Sequence, residues 1–133
     1  MLQRVIQFLK DNPVFYVATV DAGKPRVRPF GIAVEHDGKI YFCTSNVKQV
    51  YRQLQANPYV EISTTAVDFE WLRLSGKAVF EPNPAVKKKA FEISPILADL
   101  YNTPENPEFA VFYLEEAEAV FCKLTGGQES GKL

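Results

Sequence analysis

The chain has 133 residues, 47% of them hydrophobic and 13% aromatic, enough for one compact domain with its own core. Its formal net charge is −1, from 15 Lys and Arg against 16 Asp and Glu. That balance excludes the broad cationic surface of a nucleic-acid or anionic-lipid binder and leaves room only for a local basic pocket. The two cysteines, Cys43 and Cys122, lie inside the apolar runs IYFCT and AVFCKL, with no CxxC and no metal-ligand spacing. They read as buried free thiols in a reducing compartment.

In MLQRVIQFLKDNP, Leu2, Val5, Ile6, Phe8 and Leu9 recur at helical spacing, and Asn12-Pro13 ends the pattern. Arg4, Gln7 and Lys10 interrupt it, so it matches neither a signal peptide nor a membrane span, and a cytoplasmic protein is expected. Val14 to Val20 reads as a strand, followed by a turn at Asp21-Ala22-Gly23-Lys24-Pro25. The next stretch, RVRPFGIAV, splits into unlike faces when counted with a period of two. Arg26, Arg28, Phe30, Ile32 and Val34 share one face; Val27, Pro29, Gly31 and Ala33 share the other. His36-Asp37-Gly38-Lys39 marks a tight hairpin, and Ile40 to Thr44 is the returning strand.

Periodicity changes at Ser45. Val47, Val50, Tyr51 and Leu54 follow helical spacing until Asn57-Pro58. Thr44, Ser45 and Asn46 are all helix-capping types, and Lys48 falls in the expected first turn. Free N–H groups at a helix N-terminus, two hydroxyls and a lysine suit a phosphate, and Arg28 on the neighbouring hairpin strand can approach the same spot. Plain capping beside a solvated lysine accounts for the same junction; the RVRPF strand is what adds the second cation.

Tyr59 to Thr65 and Glu70 to Phe80 alternate as strands. In the second, Leu72, Leu74, Gly76, Ala78 and Phe80 form a core face, with Trp71, Arg73, Ser75 and Lys77 opposite. A tryptophan beside an arginine there fits a subunit interface, a planar ligand or a covering helix. Pro84 can open a helix through AVKKKAFEI, with a further helical turn around Ile96 to Tyr101 and a loop from Asn102 to Pro107. Phe109 to Leu114 and Ala117 to Leu124 read as closing strands, and residues 126–133 as a frayed tail on a single domain over 1–125. About six strands with few long connections favour a mainly β, antiparallel, barrel-like sheet. The lone His36 sits in a turn, no carboxylate pair or metal cluster is visible, and no GxSxG, GxGxxG or Walker lysine occurs. An enzyme built this way draws its reactive group from a cofactor.

The succession FYVATVDAGKPRVRPFGIAV, IYFCTSNVKQVYRQLQANPYVEIS and WLRLSGKAVFE resembles the pyridoxamine 5′-phosphate oxidase-like flavin-binding proteins, over about Leu2 to Leu124. The resemblance implies a six-stranded split β-barrel with short flanking helices and a homodimer with two flavin sites at its interface. It places the strand Arg28-Pro29-Phe30-Gly31 along flavin mononucleotide (FMN), Arg28 at the phosphate, and Thr44, Ser45 and Lys48 completing the phosphate site. It brings Trp71 and Arg73 to the cofactor from the partner chain. Phe30, Ile32 and Val34 then line the barrel interior, Arg26 and Arg28 its wet end, and the small opposite face admits a backbone or flat ring.

Deazaflavin-using relatives share the barrel, so deazaflavin F420 is the alternative cofactor. The ending GGQESGKL lacks the C-terminal histidine of true pyridoxamine phosphate oxidases, which implies another substrate. The expectation is thus a small FMN-dependent oxidoreductase working with a small-molecule electron donor or acceptor, with no nucleic acid and no membrane. A flavin-binding electron carrier or sensor without turnover, and a barrel that has lost its cofactor, are the alternatives.

Overall fold

β-branched and aromatic residues dominate the strand segments, and the computed structural model, which describes residues 1–133, builds eight strands and four helices. In chain order they are α1 (Leu2–Asp11), β1 (Phe15–Asp21), β2 (Lys24–Phe30), β3 (Ala33–His36), β4 (Lys39–Ser45), α2 (Gln49–Ala56), β5 (Tyr59–Thr65), β6 (Trp71–Phe80), α3 (Pro84–Ile93), α4 (Ile96–Tyr101), β7 (Phe109–Cys122) and β8 (Gln128–Lys132). Every pairing is antiparallel. The main path runs β2-β1-β5-β6-β7-β4-β3, with β8 added on β7.

The two ends of that path, β2 and β3, are consecutive in the chain and joined by Gly31-Ile32, yet they share no ladder. A sheet whose edge strands are tethered by two residues must curl back on itself, and here it closes everywhere except along this seam. The fold is a split β-barrel. Pro25 and Pro29 are tolerated on β2 because it is an edge strand whose outer side needs no donor.

Two apolar clusters result. The barrel interior holds Phe15, Val17, Phe42, Ile62, Leu72, Leu74, Phe112 and Phe121, with Val5, Ile6 and Leu9 of α1 and Val50 and Leu54 of α2 packed into it. A second cluster lies outside the barrel, where Val34, Tyr41, Phe109 and Val111 meet Val86 and Ala90 of α3 and Leu97 of α4. The inward register of β6 holds as expected across a bulge, where β7 carries one extra residue between Ser75 and Lys77 and Glu116 takes φ 52°. Gly76 is required there, because a Cβ would stand 2.9 Å from the Glu115 carbonyl oxygen. The Asp37-Gly38 hairpin forms as expected, both residues at positive φ.

Four expectations need correction. The stretch Arg26–Val34 is not one strand: the chain leaves β2 at Phe30, and the period of two slips across Gly31-Ile32. Phe30 packs on the barrel core together with Ala33, whereas Ile32 and Val34 face the outer cluster, so Phe30, Ile32 and Val34 do not share an interior. Phe109 to Cys122 is one strand rather than two; the break in apolar alternation is a bulge, with Glu116 and Ala117 opposite Gly76. The tail is not frayed, since Gln128–Lys132 pairs with Glu118–Cys122. Backbone pairing, an Arg4–Glu129 contact at 2.6 Å and Gly131 against Met1 hold it without any apolar pattern of its own. Finally, α2 starts at Gln49, so Lys48 is its N-cap and not part of its first turn: Ser45 ends β4, and its Oγ accepts from Val47 N–H at 3.3 Å in the connecting turn.

Candidate functional site

At the seam, the end of β2, the end of β4, the start of α2 and the helix α4 enclose a cavity of about 210 Å³. Six of the residues singled out from sequence line it: Arg28, Pro29, Phe30 and Gly31 from the β2 end, Thr44 from β4, and Lys48. Ser45 is buried but does not line it. Trp71 and Arg73 lie elsewhere. They project from the outer side of β6, where Trp71 is half-buried opposite Thr65 and Cys122, and the exposed Arg73 stands 3.6 Å from Glu61 Oε1. Within one chain the structure does not bring these two to the pocket.

The seam explains why the pocket exists. Phe30 packs inward and Ile32 outward, and the chain between β2 and β3 borders the cavity at this change of face. Thr44 follows Ile40 and Phe42 along the inward face of β4, which aims its side chain into the barrel end. Lys48 occupies the N-cap of α2 in extended conformation, with no side-chain cap bond of its own. Thr44, Ser45 and Asn46 therefore do not cap the helix, and their side chains are not engaged with its first N–H groups; Asn46 instead donates to the Pro107 carbonyl at 3.0 Å.

Arg28 is the most constrained group on the wall. Its Nη1 donates to the Val17 carbonyl at 3.1 Å and the Thr19 hydroxyl at 2.8 Å, and its Nη2 donates to Gln53 Oε1 at 2.6 Å. Desolvation lowers its pKa from the ordinary arginine value, and a guanidinium remains charged nonetheless. No Asp or Glu lines the cavity, and neither Arg28 nor Lys48 belongs to an ion pair. Thr44 Oγ1 is the one buried side-chain polar atom in the protein without a hydrogen-bond partner. Two residues with uncompensated cations, Arg28 and Lys48, and Thr44, whose buried hydroxyl lacks a partner, line one cavity. That donor set fits a phosphate.

Several wall residues escaped the sequence reading. Leu97, Leu100 and Tyr101 of α4 form the far side, with Cys43 beside Thr44. Burial pushes the Cys43 thiol up to about 12, so it stands on the wall as an inert thiol. Burial likewise raises the Tyr101 phenol, with Ser45 near enough to temper the shift. The signal for Gln53 was present, since Val50, Gln53 and Leu54 are the buried stripe of α2, and a glutamine on an apolar stripe needs a partner. His36 does not line the cavity.

The pyridoxamine 5′-phosphate oxidase family profile matches residues 1–122. The chain belongs to that family. Among solved structures it is similar to a NimC/NimA family protein of Clostridium acetobutylicum, 37% identical over 99% of this chain and 92% of that one, with a TM-score of 0.92. A pyridoxamine 5′-phosphate oxidase-related, FMN-binding protein of Nostoc punctiforme shares the fold at 14% identity and TM-score 0.63, over 98% of this chain and 95% of its own. So does a haem-binding protein of Mycobacterium smegmatis, at 17% identity and TM-score 0.73, over 98% of this chain and 57% of its own. No curated protein matches the chain in sequence. No helix is long and apolar enough to cross a membrane.

The orphaned hydroxyl has a direct consequence. Replacing Thr44 with valine removes an unsatisfied buried group and keeps the shape, so the ligand-free chain should gain about 1 kcal/mol in urea unfolding. A loss of that size instead would show that the hydroxyl has an internal partner.

Proposed function

We propose that the chain holds FMN by its phosphate in the seam pocket and acts as a small flavin-dependent oxidoreductase, as a cytoplasmic homodimer. The observation that carries this reading is the pocket itself: Arg28, Lys48 and the unsatisfied Thr44 hydroxyl around one cavity that no carboxylate enters. The chemistry supplied by FMN, when bound, is the transfer of electrons or hydride between a small-molecule donor and acceptor. The residues of the chain do the rest. Arg28 and Lys48 neutralise the phosphate, Thr44 donates its hydroxyl, and Pro29 and Gly31 give a narrow edge along which a flat group can lie. The wall offers no histidine or carboxylate to act as general acid or base, which leaves the redox step to the cofactor.

Size supports a shared site. At about 210 Å³ the cavity is below the ~300 Å³ that whole drug-sized ligands occupy, so it suits the phosphate and polyol and leaves the three-ring system outside. The outer face of β1, β2 and β5 exposes Tyr16 at 52%, Val27 at 67% and Tyr59 at 59%, an apolar surface suited to a second copy. In such a dimer Trp71 and Arg73 of the partner would cover the ring, with Arg73 favouring a reduced, anionic flavin.

FMN should quench on binding and give a measurable Kd, with riboflavin bound much more weakly. Arg28→Ala and Lys48→Ala should each weaken FMN about 10- to 150-fold, the equivalent of about 1.5–3 kcal/mol for a charge-assisted contact. Equal affinity for FMN and riboflavin would reject the phosphate site. A bound flavin that no nicotinamide donor reduces would place the chain with flavin-binding modules instead of enzymes. Sedimentation equilibrium should return twice the 15.0 kDa chain mass; a 15.0 kDa species at micromolar concentration would reject the shared site.

A further inference from the structure

Three other arginines are matched with acids, and Arg52 only donates to the Val47 carbonyl at 3.2 Å on the exposed surface. Arg4 meets Glu129 and Glu70, Arg26 meets Asp21, and Arg73 meets Glu61. Arg28 is fixed by three hydrogen bonds, all to neutral acceptors: a carbonyl, a hydroxyl and the Gln53 amide oxygen. Gln53 is 7% exposed, and its Oε1 accepts at 2.6 Å from Arg28 and at 2.7 Å from the Thr19 hydroxyl. Thr19 in turn accepts from Arg28, so the three side chains close a ring of hydrogen bonds at the barrel end.

We propose that Gln53 is the positioning residue of the anion site, a neutral acceptor that locks the Arg28 guanidinium without cancelling its charge and so makes the site selective for a phosphorylated flavin. This rests on the phosphate reading above.

The donor count supports the assignment. A guanidinium has five N–H groups. Both on Nη1 and one on Nη2 are used internally. The Nε–H and the second Nη2–H remain, on adjacent nitrogens, for two phosphate oxygens. A glutamate at position 53 would hold the guanidinium at least as firmly but would form a half-buried ion pair with it, removing the net charge that the phosphate needs. The same helix carries Lys48 at its N-cap, so α2 sets both cations of the site relative to each other.

The test separates charge from structure. Kd values for FMN and riboflavin are measured on the full-length wild type, Gln53→Glu and Gln53→Met, together with the thermal midpoint of each ligand-free protein. Gln53→Glu should keep or raise the midpoint, bind riboflavin as the wild type does, and lose about ten-fold or more of its preference for FMN. A purely structural Gln53 predicts an unchanged preference for FMN, because the glutamate preserves both hydrogen bonds. Gln53→Met, which frees the guanidinium without a competing charge, should also lower the preference and serves if the glutamate variant does not fold. A wild-type preference that persists in these variants overturns this inference alone. A wild type that binds riboflavin as tightly as FMN overturns the phosphate reading, and this inference with it.

Discussion

The sheet has two edge strands, β2 and β3, that are neighbours in sequence and do not pair. Gly31-Ile32 joins them without forming a hairpin, and the side-chain register slips between Phe30 and Ala33, so the barrel closes through every strand except at that joint. The candidate site residues Arg28, Thr44 and Lys48 gather at the resulting gap. Backbone that would otherwise be covered by a neighbouring strand borders a cavity, and Thr44, at the inward end of β4, is left with a hydroxyl and nothing to bond. A buried polar group without a partner normally costs on the order of 1–3 kcal/mol, a cost a protein tolerates where a ligand relieves it.

Charge is distributed to the same end. The chain is nearly neutral overall, and Arg4, Arg26 and Arg73 are matched with carboxylates, yet the seam combines Arg28 and Lys48 with no acid on the wall. An isolated cation in a partly desolvated place is unfavourable, as the lowered pKa of Arg28 reflects. The ring formed with Thr19 and Gln53 offsets that penalty by hydrogen bonding instead of by an opposite charge. The field of the site therefore stays open to an anion.

Much of this was legible from residue types. The Asp37-Gly38 hairpin, the alternation of β5 and β6 and the coincidence of Arg28 with Thr44 and Lys48 follow from local rules, and the structure places those three side chains around one cavity. The slip at Gly31-Ile32 was not legible, because a period-two count assumes continuous strand and the break carries no turn signal beyond one glycine. The late start of α2 was missed because Thr44, Ser45 and Asn46 are capping types that here serve a strand end and a turn. β8 has no apolar alternation at all; its order comes from pairing with β7, a tertiary effect. The α4 wall was hidden for a similar reason, since Leu97, Leu100 and Tyr101 reach the pocket only through the packing of the outer cluster.

The central claim is that this gap grips a phosphate. A crystal structure of the full chain grown with FMN tests it most directly. The account predicts phosphate oxygens within hydrogen-bonding distance of the Arg28 guanidinium, the Thr44 hydroxyl and the Lys48 ammonium, with the Arg28–Gln53 bond intact. A phosphate bound away from the seam, with the Thr44 hydroxyl still lacking a partner, would contradict it.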